Sequence, residues 1–364
     1  MDLGTDFQTG TWIGRVEGPD GPCVVTFRGG SLFDITSRQA PTVRDVLEMD
    51  DPASYVASAS GSEIKGDLLA PCDLQAIKAS GVTFARSMVE RVIEERAGGD
   101  PAKAEDIRTR VTAVIGDSLS NIVPGSETAM QVKEALIKED MWSQYLEVGI
   151  GPDVEVFSKA QTLSSVGHGA DVGLHPMSRW NNPEPEIVLA VNSKGVIQGA
   201  TLGNDVNLRD VEGRSALLLS KAKDNNASCS IGPMIRLFAA DYTLDDVRQA
   251  ELSMKVEGED GYVLNGASSM KEISRDPLDI VAQTIGRHHQ YPDGFMLFLG
   301  TLFAPTEDRD VPGEGFTHKV GDVVTISCPG LGSLVNRVRL STECDPWEFG
   351  LSAFMRNLAK RQLI

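Results

Sequence analysis

The stretch between Trp180 and Pro233 constrains the fold of this 364-residue chain more than any other part of the sequence. It contains Glu184-Pro185-Glu186, followed by a run rich in β-branched residues, Ile187 to Val191. Such a run favours a strand, on which residues two apart point to the same face, so both carboxylates can reach one point. Proline cannot donate to a sheet ladder, so Pro183 and Pro185 indicate the start or the edge of a strand.

A second apolar run follows a predicted hairpin at Asn192–Gly195 and ends in Gly203-Asn204-Asp205. If the chain returns antiparallel, Asp205 comes to lie beside the carboxylate pair. Three carboxylates without His or Cys form an all-oxygen site, which suits Mg²⁺ or Mn²⁺ better than zinc. The alternative, on the Glu-x-Glu spacing alone, is that two exposed acids share a strand face by chance.

The order of motifs here resembles the fumarylacetoacetate hydrolase family: E-x-E, then G-N-D-x-x-x-R-D, then a lysine and I-G-P. The resemblance extends from about Leu69 to the C-terminus. It implies that Glu184, Glu186 and Asp205 bind a divalent metal ion, and that the substrate is a 2-oxo acid or a related 1,3-dicarbonyl. The implied fold class is α+β, a mixed β-roll of the family's C-terminal type with a small N-terminal β-rich domain and inserted helices.

Two longer stretches, RSALLLSKAKDNNASCSIGP and HQYPDGFMLFLGTLFAP, resemble the sugar-acid branch of that family. This implies a dehydratase that converts a 2-keto-3-deoxy-D-pentonate to 2,5-dioxopentanoate. D-xylonate and D-arabinonate give the same 2-keto-3-deoxy acid, so the parent sugar stays open. The likeness of the KAKDNNASCSIGP loop predicts the D form over the L form.

Two other functions stay open: a hydrolase or decarboxylase of acylpyruvate-type or fumarylacetoacetate-type substrates, and a non-catalytic 2-oxo-acid-binding protein. In the family's hydrolases a metal-binding Asp stands at the position of Glu155, and a catalytic His lies five residues beyond the next aromatic. Here the aromatic is Phe157 and the fifth residue beyond it is Thr162. The missing histidine argues against hydrolysis.

Loss of water from C3 and C4 needs one base and one acid, and Lys223 and Glu155 are the two candidates. A neighbouring cation and partial burial are expected to lower the pKa of Lys223, which would make it competent as the base. Glu155 remains an alternative metal ligand. The candidates for substrate binding that the resemblance implies are Arg86, Ser164, Asn204 and Thr301. For Arg86, a solvated residue at the start of a helix is an equal alternative.

The chain is predicted to divide at about residue 68. Residues 1–68 contain turn residues typical of a small β-rich domain. Residues 69–364 are predicted to form the catalytic domain, with a helical elaboration at about 86–140. Within that elaboration, the apolar periodicity predicts a helix over Arg86–Arg96. The strand-rich part is predicted to begin at Tyr145–Val148. A final helix is predicted over Glu348–Leu363.

The amino-acid composition limits the kinds of partner that this chain is expected to bind. With 34 Lys and Arg against 52 Asp and Glu, the net charge of −18 argues against nucleic acid and anionic membranes. Five separated cysteines without a C-x-x-C indicate reduced thiols in the cytoplasm. The N-terminus has no signal-peptide pattern, and the longest apolar run, Gly294 to Ala304, is too short to span a membrane. The expected partners are a small anionic 2-keto-3-deoxy sugar acid and further copies of the chain in a homodimer or higher homo-oligomer.

Overall fold

The computed structural model describes residues 5–98, 100–104, 106–107, 122–138, 142–301, 303 and 305–364, without the side chains at 5, 85–87 and 89. Much of the predicted helical elaboration, at residues 99, 105, 108–121 and 139–141, lies outside the described residues. The described strands are β1 Trp12–Gly18, β2 Gly21–Arg28, β3 Ser31–Asp34, β4 Ser62–Ile64, β5 Leu68–Leu69, β6 Ala76–Gly81, β7 Glu155–Ala160, β8 Asp171–Leu174, β9 Pro185–Val191, β10 Ile197–Asp205, β11 Cys229–Leu237, β12 Glu251–Glu257, β13 Val263–Ser269, β14 Phe295–Phe298, β15 Val323–Cys328 and β16 Gly332–Leu340.

The helices with described bounds alternate with these strands. They are α1 Val43–Leu47, α2 Pro52–Ser58, α3 Ala85–Ala97, α4 Glu127–Lys138, α5 Gln144–Ile150, α6 Arg209–Glu212, α7 Leu219–Lys223, α8 Leu244–Arg248, α9 Pro277–Thr284 and α10 Leu351–Lys360. Within the described residues, no helix combines the length and the apolar character needed to cross a membrane.

A large mixed sheet forms the centre of the molecule. Its order over the described strands is β4-β3-β2-β1-β11-β10-β9-β14-β6-β7, with β5 beside β1. Strands β9 and β11 are buried along their whole length, and β10 along all but its first residue. The sequence of β9 is a nearly continuous apolar run because a strand that is covered on both faces has no solvent-facing side for polar residues.

A second sheet packs on the first, with strand order β13-β12-β15-β16-β8 over the described residues. Its strand β12 alternates exposed and buried residues, as expected when only one face is covered. The buried face, with Met254, Val256 and Ile326, shares one apolar core with Leu189 and Leu202 of the large sheet. Two packed mixed sheets with flanking helices confirm the predicted fold class.

The N-terminal strands continue the large sheet. Strand β1 pairs antiparallel with β11, with Trp12 opposite Arg236. The same region also has an apolar cluster of its own, in which Phe7 stacks against Trp12 with the ring centroids 4.0 Å apart. The division at residue 68 therefore stays a prediction.

One predicted element has a different structure. Tyr145–Val148 does not begin a strand but lies within α5. The Ser143 hydroxyl caps this helix by accepting a hydrogen bond from the Tyr145 N–H at 3.1 Å. Its buried residues, Tyr145, Leu146, Gly149 and Ile150, recur at helical spacing. Helix α3, by contrast, agrees with the predicted Arg86–Arg96 to within one residue at each end.

Candidate functional site

The hairpin of β9 and β10 builds the centre of the site. In its register Gly203 lies opposite Glu186 and Asn204 opposite Pro185. Beyond the paired residues, the Asp205 N–H donates to the Glu184 carbonyl at 3.0 Å. The antiparallel return predicted from the sequence is thereby confirmed, and it places Asp205 beside both glutamates.

Three buried carboxylates converge at this point. Glu184, Glu186 and Asp205 each offer an oxygen, and these oxygens lie within 4.8 Å of one another. Each of the three residues is only 1% exposed. Across the described residues, no other group of His, Cys, Asp or Glu has this geometry. An all-carboxylate set fits a hard divalent cation such as Mg²⁺ or Mn²⁺.

The ionisation of these acids reflects their crowding. Burial and then the charges of Asp205 and Glu184 raise the pKa of Glu186 well above its ordinary value. Burial also acts to raise the pKa of Glu184, but Arg91 and Lys223 outweigh it and hold that pKa at about 2. The excess of negative charge is a second reason why the three side chains suit a divalent cation.

Lys223 lies at the end of α7 and contacts two of the three acids. Its Nζ is 2.5 Å from Glu184 Oε2 and 3.2 Å from Asp205 Oδ2, and the residue is 2% exposed. Burial acts to lower the pKa of Lys223, yet the charges of Asp205 and Glu184 raise it above its ordinary value. The direction is opposite to the predicted one, because the prediction counted burial and a cation but not two carboxylates in direct contact.

Glu155 begins β7 opposite Gly81 of β6. A side chain at Gly81 would collide with the Glu155 carboxylate, so glycine leaves room for it there. Burial, followed by the charge of Glu212, raises the pKa of Glu155 to about 7. Glu155 is not part of the group of three converging carboxylates. Its protonation state therefore changes near neutral pH, which suits a group that gives or takes a proton.

One pocket joins these groups. Its lining comprises the three carboxylates Glu184, Glu186 and Asp205 with Glu155, Lys223, Phe157, Thr301, Arg91, Glu212 and residues Ser80 to Val82. The Lys223 Nζ lies 5.9 Å from the centre of the Phe157 ring. Both candidate acid–base residues thus face the same space as the carboxylates.

The predicted substrate-binding residues lie in different places. Thr301 lines the pocket, and its hydroxyl donates to the Phe303 carbonyl at 3.0 Å. Asn204 Oδ1 accepts from the Glu184 N–H at 3.2 Å, so this side chain braces the hairpin. The Ser164 hydroxyl donates to the Gln161 carbonyl at 2.8 Å, and Ser164 is not among the described lining residues. The Arg86 side chain lies outside the described part of the structure.

Three site residues were missed by the sequence reasoning: Lys159, Arg91 and Glu212. Lys159 Nζ is 2.9 Å from Asp205 Oδ1 and also donates to the Lys223 carbonyl, and its side chain is fully buried. Lys159 is two residues beyond Phe157 and four beyond Glu155, so strand alternation could have pointed to it. No comparable local signal marks Arg91 or Glu212, because they meet across more than a hundred residues of sequence.

Comparison with known proteins adds a family and its relatives. The model of the family described as fumarylacetoacetate (FAA) hydrolase C-terminal matches residues 151–339. A "Probable 2-keto-3-deoxyxylonate dehydratase" of Haloferax volcanii is 31% identical over 210 residues, which cover 57% of this chain and 68% of that protein. A "2-dehydro-3-deoxy-D-arabinonate dehydratase" of Saccharolobus solfataricus is 29% identical over 188 residues, which cover 51% of this chain and 58% of that protein.

The fold is also similar to a solved structure described as 2-keto-3-deoxy-D-arabinonate dehydratase complexed with magnesium and 2,5-dioxopentanoate. The TM-score is 0.63 at 20% sequence identity, and the match covers 90% of this chain and 99% of the other. At this identity the similarity shows a shared fold.

Proposed function

The chain belongs to the fumarylacetoacetate hydrolase C-terminal family, and we propose that it is a Mg²⁺-dependent hydro-lyase that converts 2-keto-3-deoxy-D-pentonate to 2,5-dioxopentanoate. The observation that carries this proposal is the pocket itself. It joins three carboxylates suited to a divalent cation with one lysine and one glutamate, and its described lining contains no histidine. The names of the two relatives and of the solved neighbour support the same substrate class.

The reaction expels the C4 hydroxyl as water, removes one proton each from C3 and C5, and returns one proton each to C3 and C4. Loss of a C3 proton and of the C4 hydroxyl, as water, leaves a C3–C4 double bond. A proton shift from C5, followed by tautomerisation, then gives the C5 aldehyde. No external water is activated, so a pocket without a histidine base is sufficient for this chemistry.

We assign the acid and base roles from the charges around each group. Glu155, whose pKa is raised to about 7, exchanges its proton readily near neutral pH and acts as the base toward C3. Lys223 is kept in its ammonium form by Glu184 and Asp205, and it donates a proton to the departing C4 hydroxyl. Removing either group should lower the rate by about 10²–10⁴-fold.

The three carboxylates Glu184, Glu186 and Asp205 would hold the cation, and Mn²⁺ is an alternative to Mg²⁺. When bound there, the cation supplies positive charge beside the C1 carboxylate and the C2 ketone, which makes the C3 protons more acidic. Thr301 lines the same pocket and is proposed to contact the substrate, while Asn204 is proposed to hold the hairpin in register.

The test is a steady-state assay of the full chain with Mg²⁺ and 2-keto-3-deoxy-D-pentonate. The expected product is 2,5-dioxopentanoate, measured by coupling its aldehyde to an aldehyde dehydrogenase. An acylpyruvate, assayed in parallel, tests C–C cleavage. Cleavage of the acylpyruvate without dehydration would establish a hydrolase instead, and binding of both compounds without turnover would establish a non-catalytic protein.

We further propose that the chain works in the cytoplasm as a homodimer or higher homo-oligomer. The support for the location is the set of five separated cysteines, all of them buried and unpaired in the structure. Light scattering on the purified chain measures the mass of the assembly, and a monomer at all concentrations would contradict the proposal.

A further inference from the structure

Each of the three converging carboxylates has a partner from a different part of the chain. Glu186 Oε2 accepts from the Gly300 N–H at 2.7 Å, in the turn after β14. Asp205 Oδ1 pairs with Lys159 of β7 at 2.9 Å. Glu184 Oε1 pairs with Arg91 of α3. The first two partners belong to the sheet, whereas the third comes from the helical part of the chain.

Arg91 is shared by three acids. Its Nη2 contacts Glu184 Oε1, and its Nη1 lies 2.7 Å from Glu94 Oε2 and 2.8 Å from Glu212 Oε2. All four residues are at most 6% exposed. A planar guanidinium holds several carboxylate oxygens in fixed directions, which a lysine ammonium cannot do.

A second buried arginine, Arg209, belongs to the same cluster of charged side chains. Arg209 Nε is 3.0 Å from Glu94 Oε1, and its Nη1 donates to the Pro305 carbonyl at 2.9 Å. The guanidinium also lies 5.5 Å from the centre of the Trp180 ring. Arg209 is as deeply buried as Arg91, but its contacts in the described structure do not include any of the three converging carboxylates. Both arginines therefore contact Glu94, and of the two it is Arg91 that contacts one of the three converging carboxylates, Glu184.

We propose that Arg91 is a positioning residue that sets the affinity of the site for its divalent cation by holding Glu184. The contact with Glu184 Oε1 restrains rotation of the carboxylate and leaves Oε2 directed toward Asp205, since both Oε2 and Asp205 Oδ2 contact the same Lys223 Nζ. Without Arg91 the Glu184 carboxylate would keep only the Lys223 contact at Oε2, and Oε1 would no longer be held in one direction. Partners of this kind typically contribute about 10–100-fold to metal affinity.

This proposal makes α3 part of the site. The sequence predicted a helix here without a role for it, and the helix supplies both Arg91 and Glu94 to the network. The inference rests on the proposed function, because it concerns the affinity for the cation which that function requires.

The test compares Arg91→Lys with the matched control Arg209→Lys in the full chain. Metal is removed with EDTA, and Mg²⁺ binding is then measured by isothermal titration calorimetry, with Tm recorded for each protein. Both variants should lower the Tm, since each removes a guanidinium from a buried network. Arg91→Lys should weaken Mg²⁺ binding by about 10–100-fold, whereas Arg209→Lys should change it by no more than about twofold. Saturating Mg²⁺ should restore most of the kcat of Arg91→Lys, because the role is exerted through the cation.

A double variant covers the case in which Arg91→Lys does not fold. Arg91→Gln combined with Glu212→Gln removes one positive and one negative charge, and Glu94 keeps Arg209 as its partner. It should weaken Mg²⁺ binding as much as Arg91→Lys, and more than Glu212→Gln alone. Equal Mg²⁺ affinity in the wild type and in the Arg91 variants would overturn the inference and leave the proposed function intact. A wild type that binds neither Mg²⁺ nor Mn²⁺ would overturn both.

Discussion

Replacing Glu155 with glutamine should have opposite effects on stability and on activity. The carboxyl is buried at the start of β7, and burial with the nearby charge of Glu212 raises its pKa from 4.5 to about 7. Glutamine has nearly the same shape but cannot ionise. The variant therefore separates two effects of Glu155: the loss of folding stability when a buried carboxylate ionises, and the gain in activity that the carboxylate provides.

The size of the stability effect follows from the pKa shift. Each pKa unit corresponds to about 1.4 kcal/mol, so the shift from 4.5 to about 7 corresponds to about 3 kcal/mol. Below pH 4.5 Glu155 is protonated in both the folded and the unfolded chain, and ionisation has no cost. Between pH 4.5 and about 7 the unfolded chain releases the proton while the folded chain keeps it, so the wild type loses stability as the pH rises. Above about pH 7 the loss is complete.

The assay is the Tm of the wild type and of Glu155→Gln between pH 4.5 and 8.5, in EDTA so that no cation contributes. The stability advantage of the variant should grow with pH up to about 7 and then level off. Glu134→Gln, at an exposed site, controls for the removal of one negative charge. If Glu155→Gln and Glu134→Gln show the same pH dependence, burial does not raise the pKa of Glu155 and the reasoning is wrong. In Mg²⁺, kcat/KM of the wild type should rise with pH as Glu155 ionises, as expected for a base, with a midpoint below that of the metal-free protein because a nearby cation favours the carboxylate. The variant should be nearly inactive.

Three further predictions concern the cation, the lysine and the substrate. EDTA should abolish turnover and Mg²⁺ or Mn²⁺ should restore it, whereas Glu184→Ala and Asp205→Ala should stay inactive at ordinary Mg²⁺ concentrations; full activity in EDTA would refute the metal site. Lys223→Ala should lower kcat by about 10²–10⁴-fold, while Lys221→Ala, at an exposed position two residues earlier, should be nearly normal. A crippled Lys221→Ala with a normal Lys223→Ala would place the acid on the other lysine. The D enantiomer of 2-keto-3-deoxypentonate should have the higher kcat/KM, because a fixed acid and base reach the C4 hydroxyl of one enantiomer only, and a tenfold preference for the L form would contradict this.

The centre of the site could be predicted from the sequence because its geometry is local. Glu184 and Glu186 are two residues apart on one strand, and Asp205 returns through a hairpin joined by a short turn. Strand periodicity and one antiparallel pairing are enough to bring these three side chains together. The same periodicity could have led from Glu155 to Lys159, which lies at a shift in the register between β6 and β7.

The surrounding charges could not be predicted, because they depend on how distant elements pack. Arg91 and Glu184 are 93 positions apart and meet only after α3 has packed against the segment that leads into β9. The raised pKa of Lys223 follows from the same cause, since it depends on which carboxylates surround the ammonium group. In α5, too, the sequence of four residues around Tyr145 suited a strand, and the cap at Ser143 was needed to identify the helix.

The charge of the pocket limits what it can bind. Five acidic residues and two basic residues are among its described lining. Both basic side chains, Arg91 and Lys223, already contact carboxylates, so neither is available to neutralise an anionic substrate without leaving a buried acid unpaired. Protonation of Glu155 and Glu186, whose pKa values are raised, removes part of the excess negative charge but supplies no positive charge. Within the described lining no basic side chain is therefore free, and we expect a 2-oxo acid to bind this pocket together with a cation held by Glu184, Glu186 and Asp205.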